Sequence, residues 1–324
     1  MKLKIDKFVF FIIIAIILAY LFPQWGTQES KLPLNAISSI GISLIFFFYG
    51  LKLSPEKLKQ GLKNWKLHLL VQGATFLLFP LLVLLLHPLI QNEEQENIWL
   101  GFFFLAALPS TVSSSVLMVS LAKGNIPAAI FNASISGIIG IALTPLWMGL
   151  FVSDLQTDFD FTEIYIKLIV QIIIPVIIGL LLHRFFGSFV QKHNNKITLF
   201  DKSIILLIIY KSFSESFEKN IFSAVSILDL LLILIGVIFL FSIVFYLTKL
   251  ISKRLHLNKE DQITAQFCGT KKSLVHGTVF SKILFGNMAS IGIILLPLML
   301  FHAIQILIIS VVATKLSVRK LEEL

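Results

Sequence analysis

Leu108-Pro109-Ser110-Thr111-Val112-Ser113-Ser114-Ser115 lies inside an apolar stretch from about Ile98 to Ala122, and Cys268-Gly269-Thr270-Lys271-Lys272-Ser273 lies inside another from about Gln262 to Phe285. Bilayer hydrocarbon offers no water to the backbone groups that such polar interruptions release. Broken helices therefore persist only where protein or a wet cavity surrounds them. A pair of them in corresponding halves of one chain points to the substrate site of a secondary transporter.

The rest of the composition agrees with a membrane setting. The chain has 324 residues, 56% hydrophobic and 14% charged, with a mean hydropathy of +0.90, whereas a soluble domain carries about 25% charged residues. An all-α integral membrane protein is expected, with the lipid bilayer as its surroundings. The net charge of +9 would suit nucleic acid if it were gathered on one soluble surface. It is instead spread over alternate connections and both ends of the chain, so no nucleic-acid partner is expected. Cys268 is the single cysteine, which excludes an intramolecular disulfide and a thiol metal cluster; no cofactor is expected. The run after Met1-Lys2-Leu3-Lys4 is long and lacks a small-residue cleavage site, so it reads as a retained first helix.

Apolar runs long enough to cross about 30 Å of hydrocarbon fall near residues 8–25, 35–52, 66–88, 98–122 and 126–152, then near 164–186, 199–214, 224–250, 262–285 and 289–314. Lys52, Lys57, Lys59, Lys63 and Lys66 fill one connection, Arg184, Lys192, Lys196 and Lys202 a second, and Lys249, Lys253, Arg254 and Lys259 a third. The intervening connections hold Glu93, Glu94 and Glu96, then Asp154, Asp158, Asp160 and Glu163. The side richer in Lys and Arg is the cytoplasmic one, which places both termini in the cytoplasm and the protein in the inner membrane. Ten spans divide into five plus five, residues 1–152 and 153–324, and an odd number per half makes the second repeat enter the membrane upside down. Weak echoes agree: Gly124-Asn125 after span four and Gly286-Asn287 after span nine, Phe48-Tyr49 in span two and Ile209-Tyr210 in span seven.

Lys272 lies thirteen residues beyond Lys259, about 20 Å along a helix, so both breaks are expected near the bilayer centre. A lysine there costs roughly 2.5–3.5 kcal/mol on insertion scales. Lys271 and Lys272 together point to a functional role, the plainer reading being a lysine paired with carbonyls at the break. Lys282, near the end of its span, reads as snorkelling. His276, four residues beyond Lys272, reads equally as a hydrogen-bonded core histidine or a proton carrier. Serine and threonine hydroxyls often satisfy helix carbonyls, yet five hydroxyls in the six residues from Ser110 to Ser115 exceed that need. Ser113, Ser114 and Ser115 are thus candidate ligand groups, with Thr270 in the second break. Asn132, Ser134 and Ser136 of span five read as packing groups or as site lining, Gln72 and Gln305 as interhelix glue or ligands. Protease and lipase constellations are absent from the sequence, so no enzyme is expected.

These segments carry a family likeness: Leu108-Pro109-Ser110-Thr111-Val112 with Ala122-Lys123-Gly124-Asn125-Ile126-Pro127-Ala128-Ala129, Phe267-Cys268-Gly269-Thr270-Lys271-Lys272-Ser273-Leu274, Leu296-Pro297-Leu298-Met299-Leu300-Phe301-His302-Ala303-Ile304-Gln305, Gly50-Leu51-Lys52-Leu53 and Leu67-His68-Leu69-Leu70-Val71-Gln72. Together they resemble the bile acid:sodium symporter superfamily, in its bacterial SBF-like branch, over essentially the whole chain. The resemblance implies a panel of spans 1, 2, 6 and 7 and a core of spans 3, 4, 5, 8, 9 and 10, with spans 4 and 9 unwound and crossing. It also implies two sodium ions at the crossing and an amphipathic organic anion entering between core and panel. Carried over by position, the sodium ligands match Ser114 or Ser115 and Gln72, and fall near Ala129 and Ala133, with Asn132 and Ser134 one position away. The glutamate shared by both sodium sites aligns with Phe267, and the amides after it align with Lys271 and Lys272. Removing that carboxylate and adding two ammonium groups opposes sodium binding nearby.

The expectation is therefore a secondary transporter of a small or amphipathic organic anion. Lys271 and Lys272 would hold the anion, or one would replace a sodium ion as a fixed or protonatable charge. Two alternatives stand beside it: a sodium-coupled bile acid-like symporter with a modified site, and a membrane regulator or scaffold that keeps the fold without transport.

Overall fold

A computed structural model describes residues 7–27, 30, 32–53, 64–155, 161–220, 225–285, 288 and 290–318. The loop charges Lys57, Lys59, Lys63, Asp158 and Asp160 and the Gly286-Asn287 echo lie outside the described residues. Every regular element among the described residues is helical. The chain runs through α1 (Lys7–Leu21), α2 (Leu34–Lys52) and α3 (Trp65–Gly73), which continues through a π segment (Ala74–Leu78) into α4 (Phe79–Leu84). It goes on through α5 (Glu93–Ala107), α6 (Ser113–Leu121) and α7 (Ile126–Leu155). Next come α8 (Phe161–Leu168), with its own π segment (Ile169–Ile173) leading into α9 (Ile174–Lys192), and α10 (Asn194–Glu218). The last are α11 (Ile227–Arg254), α12 (Lys259–Gly269), α13 (Leu274–Leu284) and α14 (Ile291–Ser317). Among the described residues, six helical stretches are long and apolar enough to cross a membrane: Leu34–Lys52, Trp65–Leu89, Ile126–Phe151, Ile166–Lys192, Ile227–Arg254 and Ile291–Ser317.

Both interrupted stretches are broken, though over fewer residues than the sequence suggests. Helix α5 stops at Ala107 and α6 starts at Ser113, so Ser113, Ser114 and Ser115 form the first turn of α6 rather than part of the gap. Pro109 ends α5 because the residue before a proline is pushed out of the helical region, and Leu108 is extended at φ −72°, ψ 151°. In the second stretch α12 carries on to Gly269, leaving residues 270–273 unwound. The run near 199–214 proves to be part of an uninterrupted 25-residue helix, α10; Tyr210, Lys211 and Ser212 do not end it.

Two packing groups emerge. Helix α2 lies against α9 and α10, and α1 lies against α10. The α2–α9 approach depends on glycine: a Cβ on Gly50 would overlap the Val176 carbonyl oxygen, and one on Gly179 would overlap that of Phe47. Small residues allow such backbone-to-backbone contact between membrane helices. In the other group α14 packs on α5 and α11, α12 on α3 and α11, and α6 on α7. One carboxylate ties three of its helix starts together. Asp261 is buried and accepts from the amides of Asn64 at 2.6 Å and Asn125 at 2.8 Å. Asn64, Asn125 and Asn258 accept from the backbone N–H groups of Leu67, Ala128 and Asp261, so they cap α3, α7 and α12. The positive ends of three helix dipoles thus face a single negative charge.

The two groups meet where α13 and α14 pack on α10. The α13 rings Phe280 and His276 touch, and His276 also meets Phe46 and Tyr49 of α2 edge-on. Lys282 reaches across to the other group. Its ammonium donates to Ser38 at 2.6 Å, Ser39 at 2.8 Å and the Asn35 carbonyl at 3.2 Å, all at the start of α2.

Gly179→Val tests the α2–α9 contact. Overpacking of this kind costs about 1–3 kcal/mol, so the thermal unfolding midpoint of the detergent-purified protein should fall by several degrees; an unchanged midpoint would show that the contact is not required.

Candidate functional site

The breaks of α5/α6 and α12/α13 cross and satisfy each other. Helix ends leave four carbonyls or four N–H groups without intrahelical partners, and buried groups of this kind are almost always paired elsewhere. At the end of α12 the Cys268 carbonyl accepts from Ser110 Oγ at 2.6 Å, and Thr270 Oγ1 donates back to the Gln266 carbonyl at 2.6 Å. The Ser273 N–H donates to the Pro109 carbonyl at 2.9 Å, and the Ser110 N–H to Ser136 Oγ at 2.9 Å. Thr144 Oγ1 takes the Ala107 carbonyl at 2.8 Å. Gln305 of α14 clamps the second break from behind: its Oε1 accepts from the Lys272 N–H at 2.8 Å and its Nε2 donates to the Lys272 carbonyl at 2.9 Å.

The Lys272 side chain completes this set. Its ammonium donates to the Ala106 carbonyl at 2.6 Å, the Thr75 carbonyl at 2.7 Å and the Leu108 carbonyl at 2.8 Å, and lies 4.2 Å from the centre of the Phe79 ring. The Thr75 carbonyl is free for a reason legible in the covalent chemistry. Within a π segment an N–H reaches five residues back, which from position 80 is Thr75, and Pro80 has no N–H to give. Four residues back is Phe76, whose carbonyl accepts instead from the Trp147 indole at 3.0 Å. Ala106 and Leu108 offer the carbonyls released at the end of α5, the negative end of that helix, where a cation is favoured. All three ammonium donors of Lys272 are used. The group is fully buried.

Lys271 is placed oppositely. Also fully buried, it donates to Ser114 Oγ at 2.6 Å. Ser114 donates to Thr111 Oγ1 at 3.0 Å, and Thr111 shares a 2.7 Å hydrogen bond with Ser115. These hydroxyls stand at the start of α6, which no side chain caps. A helix N-terminus carries the positive end of the dipole and favours anions. One ammonium proton of Lys271 is used, on Ser114, leaving two donors at the uncapped start of α6.

Other candidates lie elsewhere. Gln72 donates to both oxygens of Asn132 at 3.2 Å, and Asn132 Nδ2 meets His68 Nδ1 at 2.9 Å, so they pair with each other rather than with the serines. The Ser134 carbonyl, not its hydroxyl, accepts from Tyr49 at 2.7 Å. His276 Nδ1 is 2.9 Å from Ser273 Oγ, while its buried Nε2 has no hydrogen-bond partner. The side chain of Ser113 lies outside the described residues. Phe267 is fully buried and brings no oxygen to the crossing. Sequence reasoning missed the Thr75 carbonyl and the Asp261 cluster. Pro80 signalled the first, and the asparagines ahead of apolar runs signalled the second.

Lys272→Met should destabilise far more than Lys271→Met, because it strands three buried carbonyls at about 1–3 kcal/mol each. Thermal unfolding of the purified variants measures this, and equal losses would deny Lys272 its structural role.

The SBF-like CPA transporter family matches residues 6–318. An uncharacterized protein of Pseudomonas aeruginosa is 36% identical over 97% of this chain and 94% of its own length. YfeH of Escherichia coli is 36% identical over 96% of this chain and 92% of its own. Sodium/bile acid cotransporter 7-B of Xenopus laevis is 32% identical over 96% of this chain and 91% of its own. The molecule is therefore an integral membrane transporter rather than an enzyme, and it belongs to the SBF-like CPA transporter family, within the bile acid:sodium symporter superfamily.

Proposed function

We propose that this protein moves a small or amphipathic organic anion across the inner membrane by alternating access, with Lys271 as the group that receives the anion. The observation that carries this is the contrast between adjacent lysines. Lys272 has spent its three donors on the carbonyls of Thr75, Ala106 and Leu108. Lys271 has spent one on Ser114 and sits at an uncapped helix start. The first environment is built for a cation, and the lysine supplies it. The second is electropositive from both the ammonium and the dipole, and an anion completes it.

In this reading the chain has ten spans in two inverted repeats, 1–152 and 153–324. The helices α1, α2, α8–α9 and α10 form the panel, and α3–α4, α5–α6, α7, α11, α12–α13 and α14 form the core. Both termini are cytoplasmic, as the positive-inside distribution requires. Core and panel move against each other where α13 meets α2, and the Lys282 contacts with Asn35, Ser38 and Ser39 close one end of that seam.

The same geometry argues against a sodium ion at the crossing. Phe267 stands where the family carboxylate would be, and Lys272 holds the carbonyls that an alkali cation would need. Two like charges some 4 Å apart repel by about 4 kcal/mol at an effective dielectric of 20. The relative named sodium/bile acid cotransporter 7-B keeps sodium coupling as the second reading, and makes a conjugated bile acid the first anion to try.

Uptake of a labelled conjugated bile acid into proteoliposomes, with sodium replaced by potassium, tests the proposal. Uptake should persist without sodium, and Lys271→Gln should reduce it at least tenfold while the unfolding midpoint stays close to that of the parent. Saturable dependence on sodium would favour the second reading. Full activity of Lys271→Gln would remove that residue from the site. A reporter fused after Leu324 should be active only in the form that works in the cytoplasm.

A further inference from the structure

A groove of about 460 Å³ lies between α11, α5 and the end of α4 with the turn after it. This lies within the size range of small-molecule sites, about 300–1,000 Å³. Its lining is apolar from Ile243 to Leu232 on α11, with Gln95 and Asp229 the polar residues, both toward one end. Gly236 makes the room: a Cβ there would stand 2.8 Å from Cζ of Phe102. Trp99 forms a fixed wall, its indole N–H donating to the Val83 carbonyl at 3.0 Å and its ring stacked on Phe103 at 5.0 Å. The lips are open, with Leu86 at 54%, Leu89 at 70% and Phe239 at 67% exposed.

Two features choose the occupant. From Asp229 to Ile243 is fourteen residues, about 21 Å of helix, more than half the roughly 30 Å hydrocarbon thickness. A trough of that length, apolar throughout and reached from the lipid side, fits an extended hydrocarbon chain. Its polar end is acidic. The Asp229 carboxylate is met by Ser226, whose N–H donates at 2.8 Å and whose hydroxyl donates at 2.5 Å, and no ion pair to it occurs among the described residues. Glu96 lies in the first turn of the adjoining α5. Its carboxylate and that of Asp229 outweigh the two helix N-termini there, each worth about half a positive charge. An anionic amphiphile is repelled from this end, and an ammonium headgroup is attracted to it.

We propose that the groove is a binding site for a phospholipid with a primary-ammonium headgroup, of the phosphatidylethanolamine class, its acyl chain lying along α11 and its ammonium beside Asp229. The site is separate from the broken-helix crossing and has the opposite charge preference, so it does not depend on the transport reading.

Trp99 reports on the groove, because it lines the trough and is only 6% exposed. The full-length protein carrying Trp25→Phe, Trp65→Phe and Trp147→Phe retains Trp99 as its single tryptophan. It would be reconstituted in phosphatidylcholine vesicles containing a small fraction of phosphatidylethanolamine or phosphatidylglycerol with brominated chains. Brominated phosphatidylethanolamine should quench Trp99 at a several-fold lower mole fraction than brominated phosphatidylglycerol. Asp229→Asn should erase that difference. Gly236→Leu, or the milder Ile243→Phe if the first does not fold, should weaken quenching by both lipids. Equal quenching by the two headgroups in the parent protein, stronger quenching by phosphatidylglycerol, or quenching unchanged by the groove-filling variant would each overturn the proposal.

Discussion

A helix interrupted within hydrocarbon leaves carbonyl and N–H groups that only protein can satisfy, and the crossing of the two breaks is organised around that requirement. Lys272 meets the largest part of it. One ammonium takes carbonyls from three places in the chain, Thr75, Ala106 and Leu108, and rests against the Phe79 ring. A neutral side chain has fewer donors and no charge for the negative end of α5. A free ion would lack the covalent tether that Gln305 fixes from behind through the Lys272 backbone. The cation is part of the fold, and the positions of α3–α4, α5, α12 and α14 follow from it.

With that role filled by Lys272, the neighbouring lysine makes a different contact, to Ser114. Residues next to each other on a helix point about 100° apart, but here the chain is unwound at both lysines, which frees their directions further. Lys272 turns to a helix C-terminus and Lys271 to a helix N-terminus. Residues of one type, adjacent in sequence, thereby acquire opposite surroundings: one saturated with acceptors, the other short of them. The hydroxyls of Thr111, Ser114 and Ser115 form a chain that ends on Lys271.

The cluster around Asp261 is the counterpart of the lysines at the far end of α12. It gathers the capping asparagines of α3, α7 and α12, so the helices that carry Thr75, Asn132 and the second break share one anchor. Toward the other end of the broken helix, Lys282 spans from α13 to α2. The packing group holding the breaks is pinned within itself by Asp261, whereas Lys282 connects it to the other group through hydrogen bonds to hydroxyls and one carbonyl.

The sequence by itself determined that the chain is helical and membrane-embedded, where its two breaks fall to within a few residues, and that Lys271, Lys272, Ser114 and Ser115 meet there. These features rest on apolar run length, on proline and on the cost of charge in hydrocarbon, all of which are local. It also supplied the family, through motifs around Pro109 and Gly269. What it did not contain was the division of labour between the lysines, the pairing of Gln72 with Asn132 away from the serines, or the anchoring of Lys282 on α2. Those depend on carbonyls, and every residue has a carbonyl, so no residue type announces which ones are free. Only the tertiary structure decided this, because a backbone oxygen becomes a ligand when a distant proline or helix end releases it and a neighbouring helix brings a donor within reach.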